Sequence, residues 1–135
     1  MIEIDNNLIL MDKYEEPTIN PKDIHSIVNI SPITPNSHIE VEYFRLPDVS
    51  RESCDSKILL AGYRDAGLFV NSQIVNGKTV GVHCNNGYQR SIPFLAWYLG
   101  EYRNIPIEET VEKIRKEFMY EREYVEKVKT ILKNI

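Results

Sequence analysis

Cys84 and Arg90 stand six positions apart, with His83 directly before the cysteine and Ser91 directly after the arginine. A thiolate is a strong nucleophile, and a guanidinium offers a planar fork of donors that suits two oxygens of one phosphate. The five residues between them, Asn85, Asn86, Gly87, Tyr88 and Gln89, are enough for the backbone to curl into a cradle. Its N–H groups, from Asn85 through Arg90, would point inward at a bound oxyanion, and Gly87 tolerates a positive φ within the curl. An apolar run leads into Cys84 and another follows Ser91, so the cradle would lie between a buried strand and the positive end of a helix dipole. The same positive bowl would bind a phosphoryl group and stabilise a sulfur anion beneath it. The chemistry expected of this segment is displacement at phosphorus, with Cys84 attacking and Arg90 holding the phosphate.

Ester cleavage also needs a proton for the leaving oxygen, and later a base for water. Asp48 is the choice here, because it stands in a polar loop where a carboxylate can swing over a pocket. Asp55 is its rival, although a place just ahead of a helical pattern suits capping better. Asn29 reads either as a strand-end turn residue or as a brace for the phosphate loop. Cys54 is an idle thiol or a partner for an oxidised Cys84. Arg51 reads as a solvated loop cation, and Tyr88 as part of a pocket wall or a shield over the loop. Two cysteines are too few for a disulfide framework or a tetrahedral zinc site, so neither metal nor cofactor is expected.

The elements that must position these residues follow from periodicity. Ile2-Glu3-Ile4 and Leu8-Ile9-Leu10-Met11 read as short strands joined by the Asn6-Asn7 turn. Residues 21–24 suit one helical turn, the β-branched run 27–30 a strand, and the alternating stretch 39–46 a half-buried strand. A long helix follows residue 55, with Ile58, Leu59, Gly62, Ala66, Phe69, Val70 and Ile74 on its apolar face and Asn76-Gly77 as its stop. Thr79-Val80-Gly81-Val82-His83 is the pattern of a sheet centre covered on both faces. Residues 92–102 form a helix with Pro93 in its tolerant first turn. Ile107, Val111, Ile114 and Phe118 make one further stripe, opened by Pro106, and Tyr124, Val128, Ile131 and Ile135 another. The charges along residues 108–133 read as the wet faces of these two helices. Together these elements predict an α/β domain, a central mixed sheet of four to five strands with helices on both faces.

The segment His83-Cys84-Asn85-Asn86-Gly87-Tyr88-Gln89-Arg90-Ser91 resembles the signature of the protein tyrosine phosphatase superfamily, and within it the small, atypical dual-specificity branch. The resemblance extends over most of the chain. Residues 7–10 and 27–31 look like that branch's first two strands, residues 43–48 like the strand and loop bearing its general acid, and residues 94–99 like the helix behind its phosphate loop. By resemblance, Cys84 forms a phosphocysteine intermediate, Arg90 clamps phosphate, Ser91 hydrogen-bonds the sulfur and helps it leave, and His83 organises the loop from behind. Gln89 departs from the small or hydroxylic residue the branch carries before its arginine, which bears on the pocket rim. Asp48 lies a residue or two nearer its strand than the family's acid. Larger relatives line a deep phosphotyrosine cleft with an added N-terminal segment. With 83 residues ahead of Cys84, a shallow cleft is expected, open to phosphoserine and phosphothreonine as well as phosphotyrosine. The loop also lacks the lysines associated with phosphoinositide specialists.

The 135 residues suit one compact catalytic domain spanning residues 1–135. A net charge of −4 disfavours nucleic acid and anionic membrane as main partners. The longest apolar run, residues 92–99, is far short of the roughly 20 residues that cross a bilayer, and no N-terminal signal pattern is visible. An intracellular, cytoplasmic setting, a phosphorylated protein substrate, and a monomer or weak homodimer are the expectations. The stripe ending at Ile135 is expected to dock on the core rather than pair with a second copy. The competing readings are a relative acting on RNA 5′-phosphates or another non-protein phosphate, and a phospho-binding module without turnover. A rhodanese-type sulfur transferase also carries a cysteine between strand and helix, but the His-Cys and Arg-Ser frame fits it less well.

Overall fold

The computed structural model describes residues 1–12, 14–30, 42–46, 56–84, 91–118, 126, 129–130 and 132–133. Its strands are β1 (Ile2–Asp5), β2 (Leu8–Leu10), β3 (Ser26–Ile30), β4 (Glu42–Leu46) and β5 (Val80–Cys84), and its helices α1 (Ser56–Val75), α2 (Ser91–Arg103) and α3 (Ile107–Phe118). The strands form one mixed sheet in the order β1-β2-β5-β3-β4. Among the described residues only the β1–β2 hairpin is antiparallel; its turn places Asn7 at φ 64°, a conformation asparagine tolerates. The other three pairings are parallel.

Alternation along the strands gives the sheet two different faces. Leu8, Leu10, Val28, Ile30, Val80, Val82 and Cys84 join a large apolar cluster with residues of α1, α2 and α3. Ile27 lies in a smaller cluster with Met11, Ile19 and Ile24, packed by Ile9. Gly81 sits in the same row as Ile27 and Ile9, and a Cβ there would come within 2.6 Å of the Met11 sulfur. Both faces of the central strands are therefore covered, and every residue of β3 and β5 is buried. Helices on both faces were expected; among the described residues the three α-helices share one face. The second face is covered by segment 11–24, whose regular structure is one turn of 3-10 helix, Glu16–Thr18. The turn expected at residues 21–24 is present: the Asn20 carbonyl accepts from the N–H groups of Asp23 and Ile24.

The long helix α1 turns a different face inward than the periodicity suggested. Leu59, Ala66 and Val70 are buried as expected, but Ile58 is 58% exposed and Tyr63 is fully buried. The ring of Tyr63 meets Phe94 edge-on and tilts against Trp97, with centroids 5.5 and 5.6 Å away. That contact rotates the buried stripe off Ile58. At its C-terminus Gly77, at φ 74°, and Lys78 return hydrogen bonds to Ile74 and Gln73, a glycine-dependent helix stop. The Ser26 hydroxyl donates to the Gln73 side chain and ties α1 to β3.

Helix α2 lies in the middle of the molecule. Its first nine residues are all buried, which fits a helix apolar on all sides. Helix α3 follows the predicted stripe, with Val111 and Ile114 buried. Further on, Leu132 is buried in the large cluster and Lys133 is exposed. Tyr124, Val128, Ile131 and Ile135, chosen for the last apolar stripe, lie outside the described residues. No described helix is long and apolar enough to cross a membrane.

Candidate active site

Three parallel strands end in one row. Ile30 is in register with both Leu46 and Cys84, so β3, β4 and β5 terminate together at their carboxyl ends. Clefts at the carboxyl edge of parallel strands are where α/β folds bind ligands. Cys84 is the last residue of the central strand β5, one position further into the structure than the predicted strand end at His83. It forms no disulfide among the described residues and has no exposed surface. The Cys54–Cys84 bond considered from sequence has its other member outside the described residues.

Ser91 opens α2 directly instead of preceding it, and is fully buried. Its hydroxyl has no hydrogen-bond partner among the described residues. The free N–H groups of a helix's first turn carry the positive end of its dipole. The six residues between β5 and α2 are Asn85, Asn86, Gly87, Tyr88, Gln89 and Arg90, and they lie outside the described residues. So do Asp48, Arg51 and Asp55. What the structure fixes is the frame around them: a cysteine at the end of the central strand, a buried helix start after a six-residue connection, and β4 ending in Cys84's row two residues ahead of Asp48.

The face opposite Cys84 carries polar groups. Asn29 and His83 are register partners in the row one step back from the edge, and Arg45 occupies the same row on β4. Asn29 and His83 are each 3% exposed. Asn29 therefore lies inside a central strand and is not a turn residue. His83 Nε2 and Glu16 Oε1 are hydrogen-bonded at 3.1 Å, with both side chains buried. No local pattern pairs Glu16 with a residue 67 positions away. The one sequence signal nearby is the Asp12-x-x-Glu15 spacing, which marks a helical turn but not its partner.

No protein-family model and no curated protein matches the sequence. Solved structures do. Human DUSP28, as its Y102H variant, superposes with a TM-score of 0.79 at 17% identity, covering 98% of this chain and 94% of the other. The fold decides the comparison.

The chain has the dual-specificity phosphatase fold.

The human tyrosine phosphatase-like serine/threonine/tyrosine-interacting protein aligns at TM-score 0.76 and 19% identity, covering 95% of this chain and 92% of that one. Tk-PTP in its active form aligns at 0.66 and 21%, covering 98% and 96%. Within this dual-specificity phosphatase fold, the Cys84–Ser91 segment occupies the connection between the central strand and the buried helix.

Proposed function

We propose that the chain is a cysteine-dependent phosphatase that removes phosphate from phosphotyrosine and from phosphoserine or phosphothreonine in proteins. The reading is carried by the position of Cys84: the carboxyl end of the central parallel strand, followed after six residues by a buried helix start, in a fold shared with solved phosphatases.

Cys84 sulfur attacks phosphorus, forming an S–P bond as the ester P–O bond breaks. Asp48 gives its proton to the departing oxygen. Arg90 and the N–H groups of residues 85–90 hold the three remaining oxygens, where charge accumulates in flight. Asp48 then takes a proton from water, water oxygen bonds to phosphorus, and the S–P bond breaks. The Ser91 hydroxyl donates to the departing sulfur. Asn85, Asn86, Gly87, Tyr88 and Gln89 line the phosphate site with Arg90, while Asn29 and His83 support it from the opposite face. Residues 1–135 act as one catalytic domain with a shallow cleft, and a reducing intracellular setting keeps the thiol from oxidation.

The purified protein should hydrolyse a small aryl phosphate and be inhibited by vanadate. Cys84→Ser should abolish turnover yet still bind vanadate; full activity in that variant would sink the covalent mechanism. The complete burial of Cys84 favours a second reading, a phospho-binding module that does not turn over. Phosphopeptide binding without hydrolysis by the unmodified chain would select it. A panel of phosphopeptides, RNA 5′-triphosphate and phosphoinositides at equal concentration tests the substrate class.

A further inference from the structure

We propose that Glu16 is a positioning residue for Cys84, acting through His83; the proposal rests on reading Cys84 as the nucleophile. Strand β2 ends at Leu10, in register with Val82, and on that side the Val82 carbonyl accepts from the Met11 N–H at 3.0 Å. His83 and Cys84 run beyond it and keep β3 as their strand neighbour. A strand end paired on one side is a poor base from which to aim a nucleophile, since a displacement of about 1 Å can cost on the order of a hundredfold in rate.

Segment 11–18 supplies the missing side. After Met11 the chain turns into the 3-10 helix, and Glu16, 6% exposed, shares a hydrogen bond with His83. A buried carboxylate persists only with a donor. An ionised carboxylate only accepts, so its partner atom, Nε2, must carry a proton. Glu16 therefore sets both where the ring sits and which nitrogen donates. The other ring nitrogen, Nδ1, is buried without a hydrogen-bond partner among the described residues, so Glu16 is the ring's one described anchor.

The anchor is itself fixed. Asp12 Oδ1 accepts from the N–H groups of Tyr14 and Glu15 at 2.8 and 3.0 Å. Glu15 Oε1 accepts from the Asp12 N–H at 3.0 Å. This reciprocal arrangement is a capping box one residue ahead of Glu16. Successive strand residues point to opposite faces. Holding the His83 side chain on one face thus sets the direction in which Cys84 leaves the other.

Met fills the space of Glu but accepts no such hydrogen bond, whereas Gln does. Two readouts follow Cys84: its alkylation by iodoacetamide, measured by mass spectrometry, and kcat and KM for an aryl phosphate. Glu16→Met should slow alkylation and lower kcat, each about tenfold, with KM within about twofold. Glu16→Gln should stay within about threefold of the unmodified chain on both. In a His83→Phe background, Glu16→Met should add no further loss, because the two residues act as a unit. Unmodified alkylation and kcat in Glu16→Met, or a tenfold loss that persists in the His83→Phe background, would overturn the proposal. Nitrogen-15 NMR of the unmodified protein gives a check that needs no variant to fold: His83 should carry a proton on Nε2, and a ring protonated on Nδ1 alone overturns it. A chain that hydrolyses no phosphate ester would end the phosphatase reading, while alkylation and the ring nitrogens would still decide the role of Glu16.

Discussion

An acid two residues beyond a strand end serves a nucleophile only if both strands finish at the same level. Leu46, Ile30 and Cys84 share one row, which brings the chain to that edge just before Pro47 and Asp48. Asp55 immediately precedes the first residue of α1, a position suited to capping. Asp48→Asn should therefore lower kcat by roughly 10²–10⁴ on substrates with poor leaving groups, and much less on aryl phosphates with good ones. Steady-state rates across a series of leaving groups check this, and the same pattern from Asp55→Asn instead would reassign the acid. At this scale the placement of Cys84 at a strand end and of Ser91 at a helix start was legible, because apolar runs flank both. Glu16 was not legible. A buried pair between distant segments leaves no periodic trace, and Glu16 follows Glu15 in a stretch that reads as ordinary polar turn.

The helix that starts at Ser91 is held by aromatic packing well past its first turn. Phe94 has no exposed surface and lies within 5.5, 6.4 and 6.3 Å of the Tyr63, Trp97 and Tyr98 rings. A Cβ on Gly67 would come within 3.0 Å of the Trp97 ring, so α1 and α2 touch closely where that glycine sits. Truncating Phe94 to Ala should cost about 3–5 kcal/mol, because the rings around it cannot all close on the vacancy. Denaturant midpoints at unchanged slope measure it; a loss under about 1 kcal/mol would mean that the cluster repacks freely. Strand β5, helix α2 and helix α3 were readable in the sequence because burial forces their composition: unbroken apolar runs in the first two, a clean stripe in the third. The face of α1 was not. Its inward stripe includes a tyrosine that periodicity treats as ambivalent, and the Phe94 and Trp97 rings, far along the sequence, select Tyr63 over Ile58.

Across the whole molecule, the far end of α2 closes back on the sheet. Arg103 Nε donates to Asp5 Oδ2 at 2.7 Å, joining the end of the helix to the edge strand β1. Beside this junction the Tyr98 ring, 2% exposed, stacks on Tyr102 with centroids 4.7 Å apart. Burial pushes the Tyr98 hydroxyl from its ordinary 10.0 up to about 12; Arg103 pulls it down, and Tyr102 and Asp5 push it further up. The folded chain thus keeps this proton at pH values where the unfolded chain has released it. Between pH 10 and about 12 the folded state binds more protons, so stability falls as pH rises through that window and is fully present below it. The gap corresponds to at most about 3 kcal/mol. Other tyrosines and lysines titrate in the same range, so the informative quantity is the difference between the unmodified chain and Tyr98→Phe. Between pH 9 and 11 the unfolding free energy of the unmodified chain should fall relative to that of Tyr98→Phe, since the variant lacks this one alkaline loss. Parallel losses in the two proteins would show that the Tyr98 hydroxyl titrates alike folded and unfolded, and that the helix–sheet junction does not seal it from water.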